Sequence, residues 1–294
     1  MRWVEIAVDA TPVSWDAVAN IMMESGCGGT WASSAFVSDA CARMLGYLPV
    51  NDALESRLES IRARVRQLPE FGLPLASMEI SLRWVQDDDW ADGWKQFFRP
   101  IRVGRIVVKP TWEQFDPAAG DAVVEIDPGM AFGTGNHPTT RHCLEALQDL
   151  VRGGETVLDM GTGSGILAIA SARLGASKVV GIEVDQVAVE VARANVERLG
   201  LGDVIEIRQG DSPLASGERA DVALANIIAS TIIAMACQLA SMTRPGGALV
   251  ASGIVCERAD ATAAGLYRAG FELTRDLRED EWVTLVMRRR EHHG

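Results

Sequence analysis

The sequence predicts two α/β domains: a small sandwich over residues 1–86 and a mostly parallel, helix-covered sheet over residues 121–294. Three observations carry this. Two helical patterns interleave with strand patterns over the first 85 residues. From about residue 121, strands and helices alternate regularly, which means a parallel sheet covered on both faces. The 294 residues, 48% hydrophobic and 23% charged, are enough for two buried cores.

Arg2–Val8 reads as a strand, Ser14–Glu24 as a helix, and Gly26, Gly28 and Gly29 as a turn before a strand over Thr30–Val37. Leu54, Leu58, Ile61 and Val65 recur at helical spacing behind Asn51 or Asp52, and predict a helix over Asn51–Gln67. Met78, Ile80, Leu82 and Trp84 alternate, so Ser77–Trp84 is a strand. Together these point to a ferredoxin-like sandwich. Residues 87–120 read as the connection between domains. Within them Trp90 and Trp94 stand one turn apart ahead of Pro100, on a short helix that is either a packed lid or a docking face.

In the second domain, strands are expected at Ala122–Ile126, Thr156–Asp159, Lys178–Glu183, Val204–Arg208, Asp221–Ala225 and Ala248–Ser252. Phe271–Leu277 and Trp282–Met287 close it as an antiparallel hairpin at the sheet edge. No run approaches eighteen apolar residues, so no membrane span is expected. The opening MRWVEIAVDATPVSW has no apolar signal core. Cysteines 27, 41, 143, 237 and 256 form no Cys-x-x-Cys pair, which suits reduced thiols in a cytoplasm and predicts neither disulfides nor a metal site. The net charge of −12 repels nucleic-acid phosphates and either attracts a basic partner or only keeps the chain soluble. Nothing in the sequence demands more than a monomer.

Two glycine clusters carry the chemistry. The second, LDMGTGSGILAIA, is a strand, a turn with Gly161, Gly163 and Gly165, and an apolar helix. Such a turn lets a ligand lie against backbone atoms. Its G-x-G-x-G spacing departs from the dinucleotide fingerprint, because Ile166 stands where the last glycine belongs. Asp159 at the strand's end would repel a pyrophosphate, but it can accept from an ammonium group or act through water. Glu183 ends the next strand, where an acid binds ribose hydroxyls. Asp185 is its rival, or else a helix cap. Asp211 can read an adenine amino group or merely make a turn. Asn226 ends the fourth strand at the ligand-binding edge, or else caps a helix. A nucleoside that carries an amino acid and no phosphates fits this set: S-adenosyl-L-methionine.

LDMGTGSG, GIEVD, ALAN and the closing hairpin resemble the class I S-adenosylmethionine-dependent methyltransferases. The first cluster, DPGMAFGTGNHPTT, and the tract DWADGWKQFFRPIRVG narrow the resemblance to the ribosomal protein methyltransferases that modify the eleventh protein of the large subunit. The resemblance spans essentially the whole chain. It implies a Rossmann-like, mostly parallel seven-stranded sheet behind a substrate-recognition domain, and methylation of lysine and N-terminal amines. It places cofactor contacts on Thr140, Gly161, Glu183 and Asn226, with Glu183 standing where most relatives have Asp. DPGMAFGTGNHPTT lacks the Gly-Lys-Ser/Thr ending of a phosphate loop. It reads instead as a wall over the cofactor's methionine end, with Phe132 and Gly133 beside the reactive methyl and Gly163 in the cradle opposite. Asn226 is expected to align the amine. His137 is a candidate base whose alternative is a structural role, and Thr139 or Thr140 is expected to cap the helix that contains His142. Two rivals stand beside this reading: a methyltransferase for another substrate, and a binding module that keeps the fold without catalysis. Asn226-Ile-Ile-Ala lacks the proline and aromatic that would favour a flipped base.

Overall fold

The computed structural model describes residues 3–27, 30–38, 41–50, 54–85, 99–127, 135 and 137–291. They belong to two compact units, Met1–Phe98 and Arg99–Gly294.

The first unit runs β1 (Trp3–Ala10), α1 (Trp15–Glu24), β2 (Thr30–Ser38), β3 (Cys41–Pro49), α2 (Leu54–Gln67), β4 (Leu75–Val85). Its antiparallel sheet has the order β2-β3-β1-β4, the β-α-β-β-α-β arrangement of ferredoxin-like sandwiches. Strand β3 is absent from the sequence reading. Its inward positions include Ala42 and Gly46, which give little apolar signal. A Cβ at Gly46 would come 3.1 Å from both Met22 Sδ and Cys27 Sγ, so close packing there selects a residue without a side chain. Val4, Ile6 and Val8 of β1 pack with Val18, Met22, Leu48, Ile61 and Val65 to form this unit's core. The Trp90/Trp94 helix expected in the connection lies outside the described residues.

In the second unit, β5 (Ile101–Val103), β6 (Ile106–Lys109) and β7 (Ala122–Glu125) form a three-stranded sheet, with β6 and β7 parallel. Two expectations change here. Residues 101–109 are strands of the second unit, where the sequence reading has a connection. Ala122–Ile126 stays out of the main sheet, because both sides of that sheet's first strand are taken by other strands. Val124 and Ile126 instead pack on Leu144, Leu147, Ile166 and Leu167.

The main sheet comprises β8 (Thr156–Met160), β9 (Lys178–Glu183), β10 (Ile205–Gln209), β11 (Ala220–Asn226), β12 (Thr243–Val255), β13 (Phe271–Glu279) and β14 (Trp282–Arg289). Its order is β10-β9-β8-β11-β12-β14-β13, and β14 runs antiparallel to β12 and β13. This is the mostly parallel seven-stranded sheet with a closing hairpin that the resemblance implies. Helices α3 (Pro138–Leu150), α4 (Ile166–Arg173), α5 (Gln186–Arg198), α6 (Ala229–Ala234), α7 (Ala236–Met242) and α8 (Ala259–Arg268) alternate with the strands. Neighbouring residues of β8, β9 and β11 feed two separate cores: Val157, Val179 and Leu224 enter one, Leu158, Val180 and Ala223 the other. Strands buried on both sides therefore read as continuous apolar runs. Strand order reverses between β8 and β11, and the carboxyl ends of strands beside such a switch point hold ligands.

Phe271, wholly buried beside Leu266, Leu285 and Met287, anchors the hairpin. Phe271→Ala is expected to cost the second unit about 3–5 kcal/mol, read from its denaturant midpoint. Among the described residues no helix is long and apolar enough to cross a membrane.

Candidate functional site

Strand β8 delivers Asp159 to the switch point, and the glycine turn follows at once. Gly161 has φ +74°, and its N–H donates to the Ile182 carbonyl at 2.8 Å. A Cβ there would lie 2.4 Å from Ile227 Cγ2. Glycine is required twice over, by backbone conformation and by close approach. The Gly163 N–H donates to Glu183 Oε2 at 3.0 Å, tying the turn to the end of β9.

Glu183 and Asp185, rivals in the sequence, separate in space. Half-buried Glu183 turns toward the glycine turn, and its Oε1 also accepts from the N–H groups of Val184 at 2.8 Å and Asp185 at 3.1 Å. Exposed Asp185 caps α5, accepting from the Val187 N–H at 3.1 Å. The Gly210 N–H donates to the Glu183 carbonyl at 2.9 Å, which brings exposed Asp211, one residue on, to the same edge.

Asp159 is completely buried. Its Oδ2 accepts from the Thr162 hydroxyl at 2.6 Å, while Oδ1 is buried with no hydrogen bond among the described residues. Burial, reinforced by the Glu183 charge, pushes this carboxyl up to about 6, although the Thr162 hydroxyl and the Ala168 amide pull the other way. The folded protein thus holds this proton more tightly than the unfolded chain does. Stability from that proton is present below the ordinary carboxylate value of 3.8 and is lost as pH rises to about 6. Without cofactor, the wild type is therefore expected to lose stability relative to Asp159→Asn between about pH 4 and 6, by on the order of 3 kcal/mol, and to level off above. Denaturant unfolding across pH 4–8 measures this.

Asn226 ends β11 opposite Ser252 of β12. Its Nδ2 donates to Thr140 Oγ1 at 3.5 Å, the long limit of a hydrogen bond. The N-cap of α6 is Ile228, so Asn226 is not a helix cap. Thr140 is fully buried in the first turn of α3. That helix is capped by His137, where the sequence reading placed Thr139 or Thr140. The His137 ring accepts from the Thr139 N–H at 3.4 Å and meets the Thr139 hydroxyl at 2.8 Å. Pro138 occupies the first helical position, which sets His137 as the flanking residue. Its ring also packs edge-on against Trp282, 4.8 Å between centroids.

Of the first glycine cluster, Phe132 and Gly133 lie outside the described residues. Its start is anchored: Asp127 accepts from the Thr111 N–H at 2.7 Å and hydroxyl at 2.9 Å. The structure thus gathers Thr140, Asp159, Gly161, Gly163, Glu183, Asp211 and Asn226 at one edge of the sheet. Sequence reasoning missed Thr162, which holds Asp159, and Ile227, which wedges against Gly161. Ile227 was detectable as the apolar residue directly after the strand-end Asn226.

These side chains supply acceptors, hydroxyls and one amide, with no Lys or Arg among those named. They suit the hydroxyls and ammonium of an amino-acid nucleoside and do not suit a pyrophosphate. The buried Asp159 Oδ1, with no hydrogen bond among the described residues, fits such a cation.

A family profile described as Ribosomal protein L11 methyltransferase (PrmA) matches residues 2–290. The chain is 40% identical to the ribosomal protein L11 methyltransferase of Pelotomaculum thermopropionicum, over 98% of this chain and 99% of that one. It is 38% identical to the protein of the same name from Alkaliphilus oremlandii, over 97% and 98% of the two chains. Among solved structures it resembles the ribosomal protein L11 methylase of Lactobacillus delbrueckii subsp. bulgaricus, with TM-score 0.61 and 28% identity. That match covers 66% of this chain and all of that one.

Proposed function

This chain is a methyltransferase of the ribosomal protein L11 methyltransferase family, and from that premise we propose that it moves methyl groups from S-adenosylmethionine to lysine side-chain and N-terminal amines of ribosomal protein L11. The observation that carries the cofactor assignment is the buried, partnerless Asp159 Oδ1 beside a glycine turn tied to Glu183. Asp159 answers the cofactor's ammonium group, directly or through water. Glu183 receives the ribose hydroxyls, Asp211 reads the adenine amino group, and Thr140, Gly161 and Gly163 line the cradle. Phe132 and Gly133 form the wall over the methionine end. Residues 1–86 recognise the substrate, and the second unit, Arg99–Gly294, carries the chemistry. The net charge of −12 complements a basic ribosomal protein in the cytoplasm, met by a monomer.

When bound, the cofactor supplies an electrophilic methyl on a sulfonium. The chain's part is to present a neutral amine to it. A lysine of pKa near 10.4 costs roughly 4–5 kcal/mol to deprotonate at pH 7, and an N-terminal amine near 7.8 only about 1 kcal/mol. Desolvation in the site lowers the lysine cost. Asn226 and neighbouring backbone carbonyls accept hydrogen bonds from the amine and aim its lone pair, and alignment then supplies much of the acceleration. No side-chain base is assigned. His137 serves α3 as its cap.

Calorimetry tests the cofactor assignment. S-adenosylmethionine is expected to bind the wild type, and Glu183→Ala to weaken binding by about 1–3 kcal/mol as hydrogen bonds to a charged group are lost. NAD is expected to give no heat. Wild-type protein that binds NAD and ignores S-adenosylmethionine would overturn the assignment.

A further inference from the structure

We infer that His142 is a positioning residue for this site: it heads a one-way chain of buried hydrogen bonds, through Thr284 and Ser252 to the Thr139 carbonyl, that holds Thr140 against Asn226. The inference rests on the methyl-transfer reading only for what the positioning accomplishes.

The chain of contacts is continuous. His142 of α3 places Nδ1 3.2 Å from Thr284 Oγ1 of β14. Thr284 Oγ1 lies 2.5 Å from Ser252 Oγ of β12, and the Ser252 hydroxyl donates to the Thr139 carbonyl at 3.1 Å. Thr139, Ser252 and Thr284 are at most 1% exposed, and His142 is 6% exposed. The path leaves α3 at His142, crosses two strands and returns to the same helix one turn earlier. It therefore fastens the first turn of α3 to β12 and β14 and fixes its rotation. Thr140 is the next residue along, and Asn226 is the register partner of Ser252.

Counting hydrogens sets the direction. A hydroxyl has one to give. Ser252 gives its hydrogen to Thr139, so the 2.5 Å contact must be donated by Thr284. Thr284 then has none left for the imidazole, and Nδ1 must carry the proton. The competing site is weak: Nε2 lies 3.6 Å from Glu279 Oε2, beyond hydrogen-bond range, and Glu279 is already paired with Arg141. Burial lowers the His142 pKa, assisted by the Arg141 charge and opposed by Glu279 and Glu145, so the ring holds a single proton at neutral pH. The Cys143 thiol beside Ser252 is no proton sink, since burial pushes it up to about 12.

Two readouts test this. The first needs neither cofactor nor substrate: long-range 1H–15N spectra of the full chain labelled at histidine, with the His142 signal identified by its loss in His142→Asn. The expected signature is a neutral ring protonated at Nδ1, with its resonances moved by Thr284→Val. The second is single-turnover methyl transfer. Thr284→Val, nearly isosteric, and His142→Leu are each expected to slow it by about tenfold, as a displaced aligning group does. The double variant should be no slower than either single, because both break one chain. His142→Asn, which keeps a donor near the Nδ1 position, should retain most of the rate. A ring protonated at Nε2, or folded Thr284→Val at full rate, would overturn the positioning role. Wild-type protein unable to methylate L11 would instead sink the functional reading and leave the tautomer result standing.

Discussion

Asn226→Ala is expected to slow single-turnover methyl transfer by roughly 10²-fold at saturating cofactor while leaving the fold intact. The size of the effect follows from its place. Asn226 sits at the carboxyl end of β11, at the switch point, where the amine and the methyl must meet within about 3–3.5 Å and in line. Alanine keeps the strand's pairing with β8 and β12, because those bonds are made by the backbone. The lost side-chain contact to Thr140 is a 3.5 Å hydrogen bond, so stability should fall by no more than about 1 kcal/mol. A variant that folds normally and retains the full rate would remove Asn226 from the mechanism.

Gly161→Ala should strike cofactor binding first. The new methyl would stand 2.4 Å from Ile227 Cγ2, and φ of +74° costs an L-residue about 1–2 kcal/mol in addition. Ile227 must move, and it directly follows Asn226. The expected result is at least about tenfold weaker S-adenosylmethionine binding, since 1.4 kcal/mol is a tenfold change. The double variant Gly161→Ala/Ile227→Ala separates the two causes. It relieves the collision and keeps the backbone strain, so it should recover part of the affinity. Equal affinities in the single and double variants would show that the wedge of Ile227 is irrelevant.

Much of this was legible in the sequence, for physical reasons that also mark where legibility ends. Strands β8, β9, β11 and β12 are buried on both faces, so each announces itself as an apolar run before a turn or helix. Asp159, Glu183 and Asn226 were legible because they are polar residues at the ends of such runs. What failed depends on partners distant in the chain. The run Ala122–Ile126 reads as a strand, but the pairing of Ala122–Glu125 with β6 is a tertiary fact that periodicity cannot carry. Strand β3 was hidden by Gly46, whose signal is close packing against Met22 and Cys27. Glu183 reads as the ribose acid with Asp185 as its rival or a helix cap, and in the structure Glu183 accepts from the Gly163 amide while Asp185 caps α5. The His137 cap was overlooked because histidine is an uncommon cap beside two threonines that normally fill that role. The path from His142 to Thr139 joins three elements and had no sequence signal at all.

The most direct measurement of the central claim is to incubate the protein with labelled S-adenosylmethionine and unmethylated ribosomal protein L11, and to locate the label by mass spectrometry. Label on lysine side chains or the N-terminal amine of L11, strongly reduced with Asn226→Ala, is the predicted result. Protein that binds the cofactor yet leaves L11 unlabelled would contradict it.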